Sequence, residues 1–189
     1  MGCTLTKVGP GQLFALIGFV PGPLGEYLNL MREQLVSNCP LKSHVSLLPP
    51  RFLNAPPGEL SHVLRARLES VQPLEIGLGD VEVFPGTGVV FLQIKSGLEN
   101  LLQTHEFLSQ DEFAYPEPYS FHPHVTLAQD FPQPESDELV QRARQLWNSW
   151  KGDRNFLLER VSFVLGANLS TWETVSEHEL SRSRRRKTA

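Results

Sequence analysis

His44-Val45-Ser46-Leu47 and His124-Val125-Thr126-Leu127 repeat one pattern of imidazole, apolar, hydroxyl and apolar side chains, 80 positions apart. In an extended strand successive side chains alternate between faces. Each copy therefore sends its histidine and hydroxyl to one side and its valine and leucine to the other. The apolar pair anchors the strand in a core. The polar pair, about 7 Å apart by the ordinary strand rise, is left facing a groove. A single histidine in a strand is usually a locally satisfied structural residue. Two copies with matching apolar partners are not explained that way.

Working outward, both copies sit in the same succession of elements. Gln12 to Val20 reads as a buried strand, and Pro21-Gly22-Pro23 as a turn. Leu24, Tyr27, Leu28, Met31 and Leu35 then recur at helical spacing. Ser37-Asn38-Cys39-Pro40 ends that helix, because the position before a proline disfavours helical geometry. His44 to Leu48 is a short strand bounded by Pro49-Pro50, and Gly58 to Ser70 a second amphipathic helix. Pro73 to Phe84 and Val89 to Ile94 form a hairpin about the Pro85–Gly88 turn. A helix over Leu98–Leu108, a strand over Phe121–Ala128 and a helix over Ser136–Trp150 follow. Phe156–Leu165 and Trp172–Glu179 close the chain as two strands. The order strand, helix, histidine-bearing strand, helix, strand occurs twice, which indicates an internal duplication. The fold class is α+β, with helices outside a central pair of sheets.

Composition sets the bounds. At 189 residues with 40% hydrophobic and 20% charged content, the chain suits one soluble domain, or two small lobes on one interface. We expect a domain over 1–180 and a basic tail over 181–189, with Arg182 to Lys187 a solvated charge run. A net charge of −4 argues against wrapping long duplex nucleic acid, but leaves room for a nucleotide or RNA end in a local basic pocket. No apolar run reaches the roughly 20 residues that span a bilayer, so no membrane partner is expected. Gly2, Cys3 and Thr6 fit the myristoylation pattern, although a frayed start is the simpler reading. The two cysteines, Cys3 and Cys39, lack a Cys-x-x-Cys spacing and point to a reducing cytoplasm. A monomer is expected.

The chemistry of the paired motifs is that of phosphodiester displacement. A base must activate the attacking oxygen and an acid must protonate the departing one. Histidine, with an ordinary pKa near 6.5, serves as either. Ser46 and Thr126 donate hydroxyl hydrogen bonds to the phosphoryl oxygens, and protonated imidazole adds positive charge. A metal site is the weaker reading. His122, His124 and His44 lack the carboxylate or cysteine ligands such sites usually include, Asp130 being the nearest carboxylate after the second motif. By alternation His122 shares the face of His124 and lines the groove. Phe14 and Phe121 are candidates to stack on a base, with burial in the core as the competing role. Lys42 and Arg51 flank the first motif as candidate phosphate contacts or solvated side chains. The segment from Ser109 to Tyr119 reads as a rim or lid. His62 and His105 fall in helices and are assigned no function.

The paired His-x-(Ser/Thr)-hydrophobic motifs resemble those of the 2H phosphoesterase superfamily. Tyr119-Ser-Phe121-His-Pro123-His124-Val-Thr126-Leu127 is similar to the second motif of its bacterial branch, the 2′-5′ RNA ligases or RNA 2′,3′-cyclic phosphodiesterases. The resemblance in element order runs from about Gln12 to Glu179; similarity of residues is confined mainly to the motifs and their flanks. It implies a bilobal, pseudo-symmetric fold with two antiparallel sheets facing a central groove. It also implies catalysis without a cofactor on 2′,3′-cyclic phosphate or 2′-5′-linked RNA ends. His44 and His124 would be the acid–base pair, and Ser46 and Thr126 the phosphate-binding hydroxyls. The first motif carries Ser46 where that branch more often has threonine. The same histidine pair run backwards would join RNA ends. The rival expectations are another phosphodiester, such as a cyclic oligonucleotide or an ADP-ribose cyclic phosphate, and a non-catalytic module that binds RNA ends.

Overall fold

The computed structural model describes residues 13–36, 41–117, 119–129, 136–168 and 171–181. The Gly2 motif, Cys39, Asp130 and the run from Arg182 to Lys187 lie outside the described residues. Among those described, eight strands alternate with four helices: β1 (Leu13–Phe19), α1 (Gly22–Leu35), β2 (His44–Phe52), α2 (Pro57–Leu68), β3 (Leu74–Val83), β4 (Val90–Ser96), α3 (Leu98–Leu108), β5 (His124–Ala128), α4 (Ser136–Ser149), β6 (Asn155–Leu158), β7 (Arg160–Asn168) and β8 (Thr171–Glu179). No described helix is long and apolar enough to cross a membrane.

The strands order as β6-β3-β4-β5-β2-β1-β7-β8, and every pairing is antiparallel. Where two separate sheets are expected, two four-stranded halves are joined at the centre by one pairing, Val45 with Val125. The valine of each motif is thus the seam of the molecule. Glu159 alone separates β6 from β7, although these stand far apart in the sheet order. Such a joint is met only by a sheet that curls back on itself. Its cost in space falls on Gly18 of β1, where a Cβ would collide with the Leu158 side chain of β6.

The joint also changes the reading of Phe156–Leu165. The chain runs through it as expected, but its first half pairs with β3 and its second with β1 and β8. β2 runs through Pro49-Pro50 to Phe52 instead of stopping before them. Its register against β1 shifts twice over this stretch, and bulges are where a strand tolerates proline. β5 begins only at His124, since Pro123 offers no N–H to a ladder.

The helices are exchanged across the seam. α1 packs on β5 and α3 on β2, whereas α2 packs on β8 and α4 on β3. α1 inserts Leu24, Leu28, Met31 and Leu35, and α4 inserts Ala143 and Trp147. The Trp147 indole N–H donates to the Gly79 carbonyl at 2.7 Å, tying α4 to β3. One apolar cluster runs through both halves and all four helices. A small second one, Ala15, Ile17 and Val164 with Phe19 and Trp172 against it, lies on the opposite face of β1.

Candidate active site

Val45, Leu47, Val125 and Leu127 are fully buried, while His44, Ser46, His124 and Thr126 are only partly so. Alternation along the two motif strands therefore runs as the sequence requires. Because β2 and β5 are antiparallel through Val45 and Val125, extending that register sets His44 across from Thr126 and Ser46 across from His124. Each imidazole faces the other motif's hydroxyl, and the four form a compact square on one face of the seam.

Both rings are held alike. His44 Nδ1 lies 2.7 Å from the Lys42 carbonyl, and His124 Nδ1 lies 2.7 Å from the His122 carbonyl. A carbonyl only accepts, so each Nδ1 must carry the hydrogen. The neutral ring then has its lone pair on Nε2, at the end turned away from the chain. A backbone acceptor two residues upstream thus fixes tautomer and orientation together.

The electrostatics of the two differ in degree. Burial pushes His44 down to about 4; the Lys42 carbonyl opposes this, and Arg32 and His124 reinforce it. His124 is also lowered from 6.5, first by burial, against the pull of the His122 carbonyl and with a further push from the His122 ring. Both imidazoles are neutral at pH 7 in the free protein.

Exchanged side chains brace the motif strands. Arg32 of α1, 3% exposed, donates to the Leu41 carbonyl at 3.2 Å and to the Thr126 carbonyl of β5. His105 of α3 bonds the Leu47 carbonyl of β2 at 2.7 Å and stacks on Phe121 at 3.7 Å between centroids. Sequence reasoning assigned nothing to either. Their signal is the exchange of helices, which no local pattern reports.

Several expectations need correction. Phe14 is 1% exposed and packs edge-on against Phe113 and Phe163, so it is core and cannot stack on a base. Phe121 is taken up by His105. Arg51 is neither a phosphate contact nor solvated: it is 2% exposed, donates to the Phe113 carbonyl at 2.8 Å and pairs with Glu117 at 2.5 Å. Lys42 contributes its carbonyl, its side chain being exposed. The segment after α3 is a fixed rim, since Arg51, Arg67 and Asn54 bond to its residues between Gln110 and Glu117. His122 precedes β5, so alternation does not place it. It is exposed, 6.4 Å from the His124 ring between centroids, and both rings sit edge-on to Phe84 and Phe91. Among the described residues no group of three His, Cys, Asp or Glu side chains is placed to hold a metal ion.

The profile described as the 2′-5′ RNA ligase superfamily matches residues 34–166, a span containing both motifs. No curated protein sequence matches the chain. Among solved structures, LigT of E. coli complexed with NADP+ is 15% identical, with a TM-score of 0.59 over 92% of this chain and 100% of that one. TT0787 of Thermus thermophilus is 18% identical, with a TM-score of 0.57 over 89% and 97%. A protein titled only as a phosphoesterase gives 14%, 0.60, 91% and 99%. At these identities the structures speak for the fold.

Proposed function

Because the chain belongs to the 2′-5′ RNA ligase superfamily, we propose that it is a phosphodiesterase opening 2′,3′-cyclic phosphates at RNA ends or on nucleotides, with His44 and His124 as its acid–base pair. One observation carries this reading: two imidazoles fixed by matching Nδ1–carbonyl bonds at 2.7 Å, on strands paired at their neighbouring valines. That arrangement offers two Nε2 atoms to one phosphorus. In the hydrolytic direction one neutral imidazole takes a proton from the attacking water. The other, protonated, gives its proton to the departing ribose oxygen. With the 5′-hydroxyl of a second RNA end in place of water, the same pair would form a 2′-5′ link, one imidazole taking the hydroxyl proton and the other protonating the departing ribose 3′-oxygen.

The lowered pKa values fit a site that charges only when filled. A bound phosphodiester brings a negative charge next to both rings and raises their pKa values. The acid is then made by the substrate itself. Ser46 and Thr126, each across from the other motif's histidine, donate to the non-bridging oxygens and stabilise the charge that grows there. These four side chains supply base, acid and anion stabilisation without calling on a metal. LigT of E. coli, which shares this fold, has been crystallised with 3′-AMP and with phosphate, which is consistent with a phosphate-binding groove.

The test is hydrolysis of a nucleoside 2′,3′-cyclic phosphate in the presence of a chelator by wild type, His44→Ala and His124→Ala. We expect turnover by wild type and loss in each variant. Activity that survives either substitution removes that histidine from the mechanism; wild type that is active only with added metal removes the metal-independent scheme.

A further inference from the structure

α1 meets the first motif one step before the chemistry begins. Its Asn29 and Arg32, three positions apart and so on one helix face, reach the two residues that flank Lys42. The Ser43 N–H donates to Asn29 Oδ1 at 2.7 Å, and Arg32 Nε donates to the Leu41 carbonyl at 3.2 Å. The Ser43 carbonyl accepts from the Val20 N–H at 3.0 Å. The backbone on both sides of Lys42 is thus fixed, and with it the carbonyl that holds His44 Nδ1. The same guanidinium reaches over the seam and donates to the carbonyl of Thr126, the residue set across from His44.

This clamp places a permanent positive charge beside one ring of the square. Arg32 is 3% exposed, so salt screens it little, and a guanidinium does not lose its proton in a protein. A cation beside an imidazole disfavours the protonated ring. Beyond burial, and against the pull of the Lys42 carbonyl, the charged groups that lower the pKa of His44 are Arg32 of α1 and His124 of β5. From β1 it meets only the edge of Phe19. Burial lowers His124 too, but the charge that adds to it is that of His122, an exposed imidazole that can shed its proton. The motifs hold their rings by the same bond, yet the charge beside them is fixed in one and titratable in the other.

Resting on the phosphodiesterase reading above, we infer that Arg32 is a positioning residue that selects His44 as the base. It presents the Lys42 carbonyl to that ring and keeps a fixed cation beside it, so that the one proton the pair holds sits on His124. A bound phosphodiester favours protonation of both rings, and the ring without the permanent cation takes the proton. His44 Nε2 then accepts the proton of water as the new P–O bond forms. The departing ribose oxygen takes its proton from His124 Nε2 as the old bond breaks.

Two measurements test this. First, the ring resonances of His44 and His124 are titrated by NMR in wild type, Arg32→Gln and Arg32→Lys. Glutamine keeps a donor without the charge, and lysine keeps the charge. His44 should rise from about 4 towards 6.5 in Arg32→Gln, stay low in Arg32→Lys, and leave His124 in place in both. The acid limb of the kcat/KM profile should move to higher pH in Arg32→Gln alone. A His44 midpoint unmoved by Arg32→Gln, or both rings moving alike, overturns the selection. Second, wild type is saturated with inorganic phosphate and its ring nitrogen shifts are followed, which needs no variant to fold. His124 should be protonated at a pH where His44 is still neutral. Turnover of a cyclic phosphate with the proton on His44 overturns the role of Arg32 and leaves the phosphodiesterase reading intact. No turnover, with the proton on His124, does the reverse: the phosphodiesterase reading fails and the bias set by Arg32 stands.

Discussion

The first motif and the second hold their histidines by the same bond to the same kind of carbonyl, yet their surroundings differ. His44 has Phe19 edge-on at 6.4 Å and shares its face with the apolar patch of Ala15, Ile17 and Val164. His124 has Phe84, Phe91 and His122 around it. The two motifs share one way of holding a ring and differ in what surrounds it. Burial depresses the pKa of His44 more strongly, while an aromatic and polar wall surrounds His124.

The largest break in that comparison is removal of either imidazole. Each of His44→Ala and His124→Ala should lower kcat/KM by about 10²–10⁴-fold. The double variant should fall little further than the worse single one, because a displacement missing its base gains nothing from its acid. Steady-state rates on one cyclic phosphate decide this. If the two losses multiply, the rings do not act on one event.

The hydroxyls come next. Ser46→Ala and Thr126→Val should each cost about 10²–10³-fold in kcat, as for a donor aimed at developing charge, with a smaller change in KM. A loss in KM alone would make them ground-state contacts. Unequal losses would show on which flank of the phosphorus charge accumulates.

Acid stability sharpens the contrast between the rings. His44 falls from 6.5 to about 4 on folding, so the unfolded chain binds its proton first. The stability this ring contributes is complete above pH 6.5 and is lost as pH falls from there towards 4, by roughly 3 kcal/mol. Urea midpoints across that window should drop less in His44→Gln than in wild type. An equal drop in the variant would assign the acid sensitivity elsewhere. The smallest effect is on rate. In the free enzyme both pKa values lie below 6.5, so kcat/KM should peak on the acid side of 6.5. The kcat profile should lie at higher pH, because bound phosphate raises both. Coincident profiles would mean that the anion does not charge the pair.

The parts legible in the sequence are those set by periods of a few residues. Val45, Leu47, Val125 and Leu127 pointing inward, and their polar partners outward, follow from alternation alone. The helices with Leu24, Leu28 and Met31, or with Leu60 and Leu64, follow from the helical repeat. What escaped is long-range or opposed by another rule. Pro49-Pro50 looks like a stop, but β5 meets β2 only at Val45 and leaves the prolines no ladder to break on that side. Arg51 looks like a surface cation until Glu117, 66 positions away, is brought to it. Phe14 sits in a strand buried on both faces, where alternation carries no information. The Nδ1 bonds depend on the backbone path just before each strand, which residue identities leave open.

The pairing of β1 with β7 has a consequence for synthesis. As the nascent chain leaves the ribosome, β1 can pair with β2 at once, but its other edge stays open until residues beyond Arg160 emerge. α1 likewise waits for β5 before Arg32 can reach Thr126. α3 can brace the first motif through His105 before the second is made, but the histidine square waits for β5 and the outer edge of β1 for β7, so the groove closes only after β7 has emerged.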